Sequence, residues 1–96
     1  MQDVGRNINQ LKQVSLDGVP LGFQYAIIER FDYEWMVELK NPDPPPKTDE
    51  ETMPLKISFV QTDGTFFNEV DIESFQISVE NDQNIYRYYM FPDDKT

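Results

Sequence analysis

Residues 55–73 read Leu-Lys-Ile-Ser-Phe-Val-Gln-Thr-Asp-Gly-Thr-Phe-Phe-Asn-Glu-Val-Asp-Ile-Glu, and this stretch decides the fold. Asp63-Gly64 lies at its centre. That dipeptide tolerates the two positive φ angles of a type I′ turn, whose twist matches the strands of a β-hairpin. Folding there places Thr62 opposite Thr65, Phe59 opposite Asn68, Ile57 opposite Val70 and Leu55 opposite Ile72. On the other face Val60 meets Phe67, Ser58 meets Glu69 and Lys56 meets Asp71. One register collects an apolar face and a mainly polar one, and a slip of one residue would exchange them.

Beyond the hairpin the apolar phase changes. Val70 and Ile72 are even-numbered, whereas Phe75, Ile77 and Val79 are odd. A bulge, or a corner where the chain passes to another sheet, is required near Ser74. A second hairpin then turns on Asn81-Asp82-Gln83-Asn84. A four-residue loop there sets Val79 against Tyr86, Ile77 against Tyr88 and Phe75 against Met90, with Gln76 by Tyr89 and Ser78 by Arg87 on the reverse face. Phe91-Pro92 ends the strand, and residues 93–96 form a polar tail.

On the N-terminal side, Asn41 to Pro54 holds five of the seven prolines together with Asp43, Asp49, Glu50 and Glu51. It is expected to be an acidic, proline-rich loop, too long for a simple connection and therefore functional or mobile. Tyr33, Trp35, Val37 and Leu39 alternate with Glu34, Met36, Glu38 and Lys40, as in a half-buried strand. Ile27, Phe31, Trp35 and Leu39 are also spaced by four, so the competing reading is a helix over about 24–40. Aromatic and β-branched residues dominate the segment, and no N-cap or terminal glycine frames a helix. Two strands joined near Phe31-Asp32 are predicted. Gln13 to Leu16 is a first strand, Asp17-Gly18 and Pro20-Leu21-Gly22 are turns, and residues 1–10 are a flexible arm or a short helix around Ile8 and Leu11.

The whole is predicted to be one all-β domain over residues 1–96, a small antiparallel sandwich or partly open barrel of about six strands built from hairpins. The helical reading of 24–40 would make it α+β.

Composition narrows the function classes. There is no Cys and no His, so disulfides, thiolate metal sites and the commonest general base are all missing. The net charge is −10, from 18 acidic against 8 basic residues. Such a chain repels nucleic acid and anionic membrane and attracts basic surfaces. No apolar run reaches the roughly 18 residues of a membrane helix, and the N-terminus lacks the pattern of a signal peptide. A soluble, cytoplasmic protein is the expectation.

The candidate chemistry is sparse. Glu34 with Glu38, or Glu69 with Asp71, could form an acid–base pair, but both pairs lie on predicted outward faces rather than in a cleft. Asp43, Asp49, Glu50 and Glu51, and Asp93-Asp94, lack the spacing of a shaped calcium loop. No catalytic residue, metal or cofactor is therefore assigned. Pro42, Pro44, Pro45 and Pro46 could dock on an aromatic groove, although such tracts more often act as spacers. Glu69, Asp71 and Glu73 would form a carboxylate stripe along one strand face, repeating every ~6.6 Å. That is near the spacing of adjacent phosphates, about 7 Å. Lys56 neutralises Asp71 in this register, leaving Glu69 and Glu73 less compensated. The plain alternative is a solvated outer face. Tyr89 and Phe91, with Arg87 and Phe67, fall on the second face of the last two hairpins, where they would form either an interface patch or a second packed layer.

The expected function is non-enzymatic protein binding. Glu69, Asp71, Glu73, Phe67, Arg87, Tyr89 and Phe91 would engage a protein with a basic surface, and an inhibitor acting by charge mimicry is the sharper form. The alternatives are an assembly subunit docking through strand edges and the proline-rich loop, and a small apolar-ligand carrier.

Overall fold

A computed structural model describes residues 7–49 and 51–91. Eight strands form there: β1 (Asn7–Leu16), β2 (Val19–Leu21), β3 (Tyr25–Arg30), β4 (Trp35–Lys40), β5 (Lys56–Gln61), β6 (Phe66–Asp71), β7 (Ser74–Glu80) and β8 (Gln83–Met90). They join antiparallel in the order β6-β5-β1-β3-β4-β8-β7, with β2 beside β1. The all-β reading holds as a partly open sandwich, with eight strands in place of about six.

β1 makes the two layers. Its first half, Asn7 to Gln10, pairs with β3, and its second half pairs with β5 on one edge and β2 on the other. The register slips between Leu11 and Gln13. This bulge leaves Leu11 and Val14, three residues apart, both buried. A bulge bends its strand and sharpens the twist, so one strand serves both layers. Residues 7–10 are therefore strand, not arm; the rest of the expected arm, residues 1–6, and the expected tail lie outside the described residues. Pro20 is tolerated in β2 because β2 pairs only with β1 and needs no donor on its far side. That makes 19–21 a short strand where a turn was expected.

The helix over 24–40 does not form. β3 and β4 pair from Arg30↔Trp35 to Tyr25↔Lys40, closed by a hydrogen bond from Phe31 N–H to Glu34 O of 2.8 Å. Trp35, Val37 and Leu39 face inward as expected, while Tyr33 falls in the turn and is exposed.

In the decisive hairpin the outer register holds and the inner one does not. Lys56↔Asp71 and Ile57↔Val70 stand, but Phe59 pairs with Phe67 and Val60 with Phe66. The turn is a three-residue loop, Thr62 to Gly64, closed by Gln61 N–H donating to Thr65 O. Gly64 alone has positive φ, at 96°, so the turn is not type I′. The Asp63 carboxylate accepts the Thr65 N–H at 2.9 Å, an Asx arrangement that holds Asp63 itself outside the left-handed region. The loop shifts the pairing by one residue, and a bulge at Asn68-Glu69 opposite Ser58 shifts it back. Ser58 Oγ accepts the Glu69 N–H at 2.8 Å and donates to Asn68 Oδ1 at 3.2 Å. The inner faces therefore stay inner on both sides of the bulge. Leu55, expected on the apolar face, precedes β5 and is 66% exposed.

The required phase change is a corner. Ile72 N–H donates to Leu55 O in the β5–β6 layer, and the next residue, Glu73, donates to Tyr89 O in the β7–β8 layer. The second hairpin is tighter than expected. Asn81 and Asp82 both have positive φ (53° and 64°) and form a two-residue turn. Phe75 therefore faces Tyr88 and Ile77 faces Tyr86, a shift of two that preserves both faces.

The core lies between the layers. Ile28, Val37, Leu39, Tyr88 and Met90 come from one side, and Val14, Leu16, Ile57 and Phe59 from the other. Full burial of each large apolar side chain contributes about 1.5–3 kcal/mol.

Candidate functional site

The acidic stripe is not regular. Glu69 occupies the bulge with φ of 53°, so it leaves the alternation on which an even repeat depends. Glu73 lies outside β6, in the corner beside Tyr89. Asp71 is paired with Lys56 Nζ, and both side chains are exposed. The Asp71 carboxylate holds the Lys56 ammonium above its ordinary pKa, first by hydrogen bonding and then by charge. Glu69, Asp71 and Glu73 are all exposed to solvent, but they are not one continuous array.

Phe67 is removed from the expected patch. The one-residue shift turns it toward the core, where it meets Phe59 and Trp35 at ring-centroid distances of 5.1 and 5.0 Å. Arg87 and Tyr89 do share the outer face of the β3-β4-β8-β7 layer, and half-buried Phe91 follows β8. Arg87 is already engaged: its Nε donates to Glu38 Oε1 at 2.8 Å, and its other nitrogens reach Ser78 and Glu80. The opposite oxygen of Glu38 accepts the Tyr25 hydroxyl at 2.6 Å. That bond raises the Tyr25 pKa to about 12, with desolvation and the Glu38 charge adding to it. Tyr89 donates to Gln76 at 3.2 Å. Arg87 and Tyr89 thus stitch four strands together, and Glu38 belongs to this structural network rather than to a pair with Glu34.

The proline-rich loop is anchored at its start. Asn41 is the hub: its backbone N–H donates to Asn84 O, its side-chain oxygen accepts the Asn84 N–H, and its amide nitrogen reaches Gln24 and Gln83. Gly22 and Asp43 exchange two backbone hydrogen bonds of 2.7 and 2.9 Å. Beyond them the loop walls a cavity of about 280 Å³ with Pro44, Pro45, Pro46 and Pro54, against Val19 and Leu21 of β2. The cavity surface is mainly apolar. Acids surround it. Asp17 lies in the wall, Asp43 precedes Pro44, Asp49 holds the Thr52 turn, and Glu51 adjoins Thr52. Asp17 also accepts the N–H groups of Leu55 and Lys56, which ties the floor of the groove to β5. Sequence reasoning marked the prolines but read Pro20-Leu21-Gly22 as a turn; the signal it lacked was that Val19 and Leu21 share one face of a strand.

A more polar cavity of about 350 Å³ lies by Tyr25, Lys40, Glu80 and Ile85. Among the described residues no group of three or more acidic side chains is placed to hold a metal ion, and no helix is long and apolar enough to cross a membrane.

The last feature is an edge. Among the described residues β7 pairs with β8 only, and Ile77 and Val79 on it are 38% and 67% exposed. Comparison with protein-family models, with curated proteins and with solved structures finds no match for this chain.

Proposed function

We propose that this chain is a protein-binding domain, not an enzyme, that takes a basic segment of its partner into the groove between the proline-rich loop and the β1–β2 hairpin. The observation that supports this reading most directly is the apolar cavity of about 280 Å³, whose lining holds Asp17 and Lys47 and whose chain neighbours Asp43, Asp49 and Glu51 are exposed acids. Prolines and aliphatic side chains offer a dry, preformed seat for one large apolar side chain, and little chain entropy is lost on filling it. Asp43, Asp49 and Glu51, within a net charge of −10, draw in Lys and Arg on either side of that anchor.

Selection of a displayed random-peptide library on the immobilised full chain tests it. Enrichment of a Leu-, Phe- or Trp-sized residue flanked by Lys or Arg is expected. Val19→Asp, at an exposed wall position, should weaken the selected peptides by about tenfold or more, the equivalent of losing one apolar anchor. Rising salt should weaken them as well. Enriched peptides without basic residues, or affinities indifferent to Val19→Asp, would overturn the reading.

A further inference from the structure

The two outer strands of the sandwich differ in how they meet solvent. β6 is interrupted by the Asn68-Glu69 bulge and carries Glu69 and Asp71, the usual protections of an exposed edge. β7 has no bulge, and its one carboxylate, Glu80, is its last residue and is ion-paired with Arg87 at 3.5 Å. Ser74 to Glu80 pairs without a register shift over seven rungs, and it contains no proline and no lysine.

The direction of its backbone groups follows from β8. Asn84 N–H and Asn84 O both go to Asn41, on the side of β4. Alternation along β8 then turns Gln83, Ile85, Arg87 and Tyr89 toward β7, where their partners are Glu80, Ser78, Gln76 and Ser74. The N–H and C=O groups of Phe75, Ile77 and Val79 consequently point out of the open edge. The same three residues carry the apolar side chains of β7, and their exposure increases along the strand from half-buried Phe75 to Val79 at 67%.

We propose that β7 pairs with β7 of a second copy of this chain, antiparallel about a two-fold axis at Ile77. In this register Ile77 meets Ile77 of the second copy, and Phe75 meets Val79. Three pairs of the hydrogen-bonded kind form, about six backbone hydrogen bonds in all. Every apolar residue of β7 opposes an apolar residue, and the polar ones pair Gln76 with Ser78 and Ser74 with Glu80. No carboxylate faces a carboxylate: Glu73 falls opposite Asn81, and Asp82 opposite Ile72. Shifting by two residues toward the start of the strand would set Glu73 against Val79, and shifting toward the end would set Ser74 against Asp82 and Phe75 against Asn81. The central register alone satisfies all three apolar positions. The pairing is isologous and closes at two, since each β7 edge is used up by the other. Each copy carries a charge of −10, so repulsion opposes association and salt strengthens it.

Sedimentation equilibrium of the full chain, over a range from micromolar to millimolar and at low and high salt, tests this. A monomer–dimer equilibrium that tightens with salt is expected. Ile77→Lys sets lysine against lysine on the two-fold axis, Val79→Lys sets lysine against Phe75 of the second copy, both at exposed sites, and each should weaken the dimer by about tenfold or more while leaving the circular dichroism spectrum unchanged. Amide exchange at Phe75, Ile77 and Val79 should slow as concentration rises. A monomer at every concentration in high salt, a dimer unaffected by both lysine variants, or association continuing beyond two copies would overturn the proposal. So would a dimer in which the amides of β6 are protected instead.

Discussion

Phe67 stands edge-on to Trp35, with ring centroids 5.0 Å apart and planes at 79°, and so ties the edge strand β6 to the centre of the opposite layer. A second ring, Phe59, lies 5.1 Å away on the neighbouring strand. The quadrupoles of aromatic rings favour such an edge-to-face contact, by about 0.5–1.5 kcal/mol beyond the area buried. Phe67→Ala should therefore lower the unfolding free energy by about 2–3 kcal/mol, somewhat below the range for a fully buried ring. Phe67→Leu should recover part of that. Urea unfolding followed by Trp35 fluorescence reads both, because the only tryptophan is the contact partner. A loss under about 0.5 kcal/mol for the alanine variant would show that the layers are held elsewhere.

Glu69 pays for the bulge, since its φ of 53° is a left-handed conformation that costs a residue with a β-carbon about 1–2 kcal/mol. Asn adopts that region more readily, and β-branched residues resist it. Glu69→Asn should raise stability by about 0.5 kcal/mol and Glu69→Val should lower it by more than about 1 kcal/mol. Chemical denaturation midpoints give the order. If Val proved the better tolerated of the two, the bulge could not have the backbone described.

Tyr25 has its pKa raised to about 12, chiefly by the hydrogen bond it donates to Glu38. A group with a raised folded pKa stabilises the fold below its unfolded value, here 10.0, and loses that contribution as the pH climbs toward 12. Ultraviolet titration of the phenols should show Tyr25 ionising late, and Glu38→Gln should bring it back toward the ordinary value. Burial raises Tyr88 as well, so it too will titrate late but will not respond to Glu38→Gln. An unchanged curve in the variant would refute the bond.

Asp63 shows the opposite sign. The Thr65 N–H bonded to its carboxylate is the first cause holding it below 3.8. Its contribution is present above the unfolded pKa and disappears as the pH falls below it through the folded value. Carboxyl NMR should find the Asp63 midpoint beneath 3.8, with the Thr65 amide shift moving on the same curve. A midpoint at or above 3.8 would exclude the Asx turn.

Much of the fold was legible because strand alternation has a period of two and tolerates errors of two. The second hairpin was expected with a four-residue loop and has a two-residue one, yet Phe75, Tyr86, Tyr88 and Met90 kept their faces. The corner near Ser74 was legible for the same reason, as the change from even to odd apolar positions requires it. The candidate site was less legible. Phe67 changed from a surface candidate to a core contact through a slip of one, the error that alternation does not forgive.

What the sequence by itself determined is local: most of the extended segments, a turn at Asp17-Gly18 and another after Glu80, and the pairing of Lys56 with Asp71. Tertiary structure decided the bulges at Leu11–Gln13 and Asn68-Glu69, because each exists to reconcile a turn or a bend with a core on the far side of the molecule. It also decided that β6 and β7 are edges, and that the prolines line one cavity with Val19 and Leu21. Such relationships join residues distant in the chain. No local preference encodes them, and only the shared burial of both layers selects them.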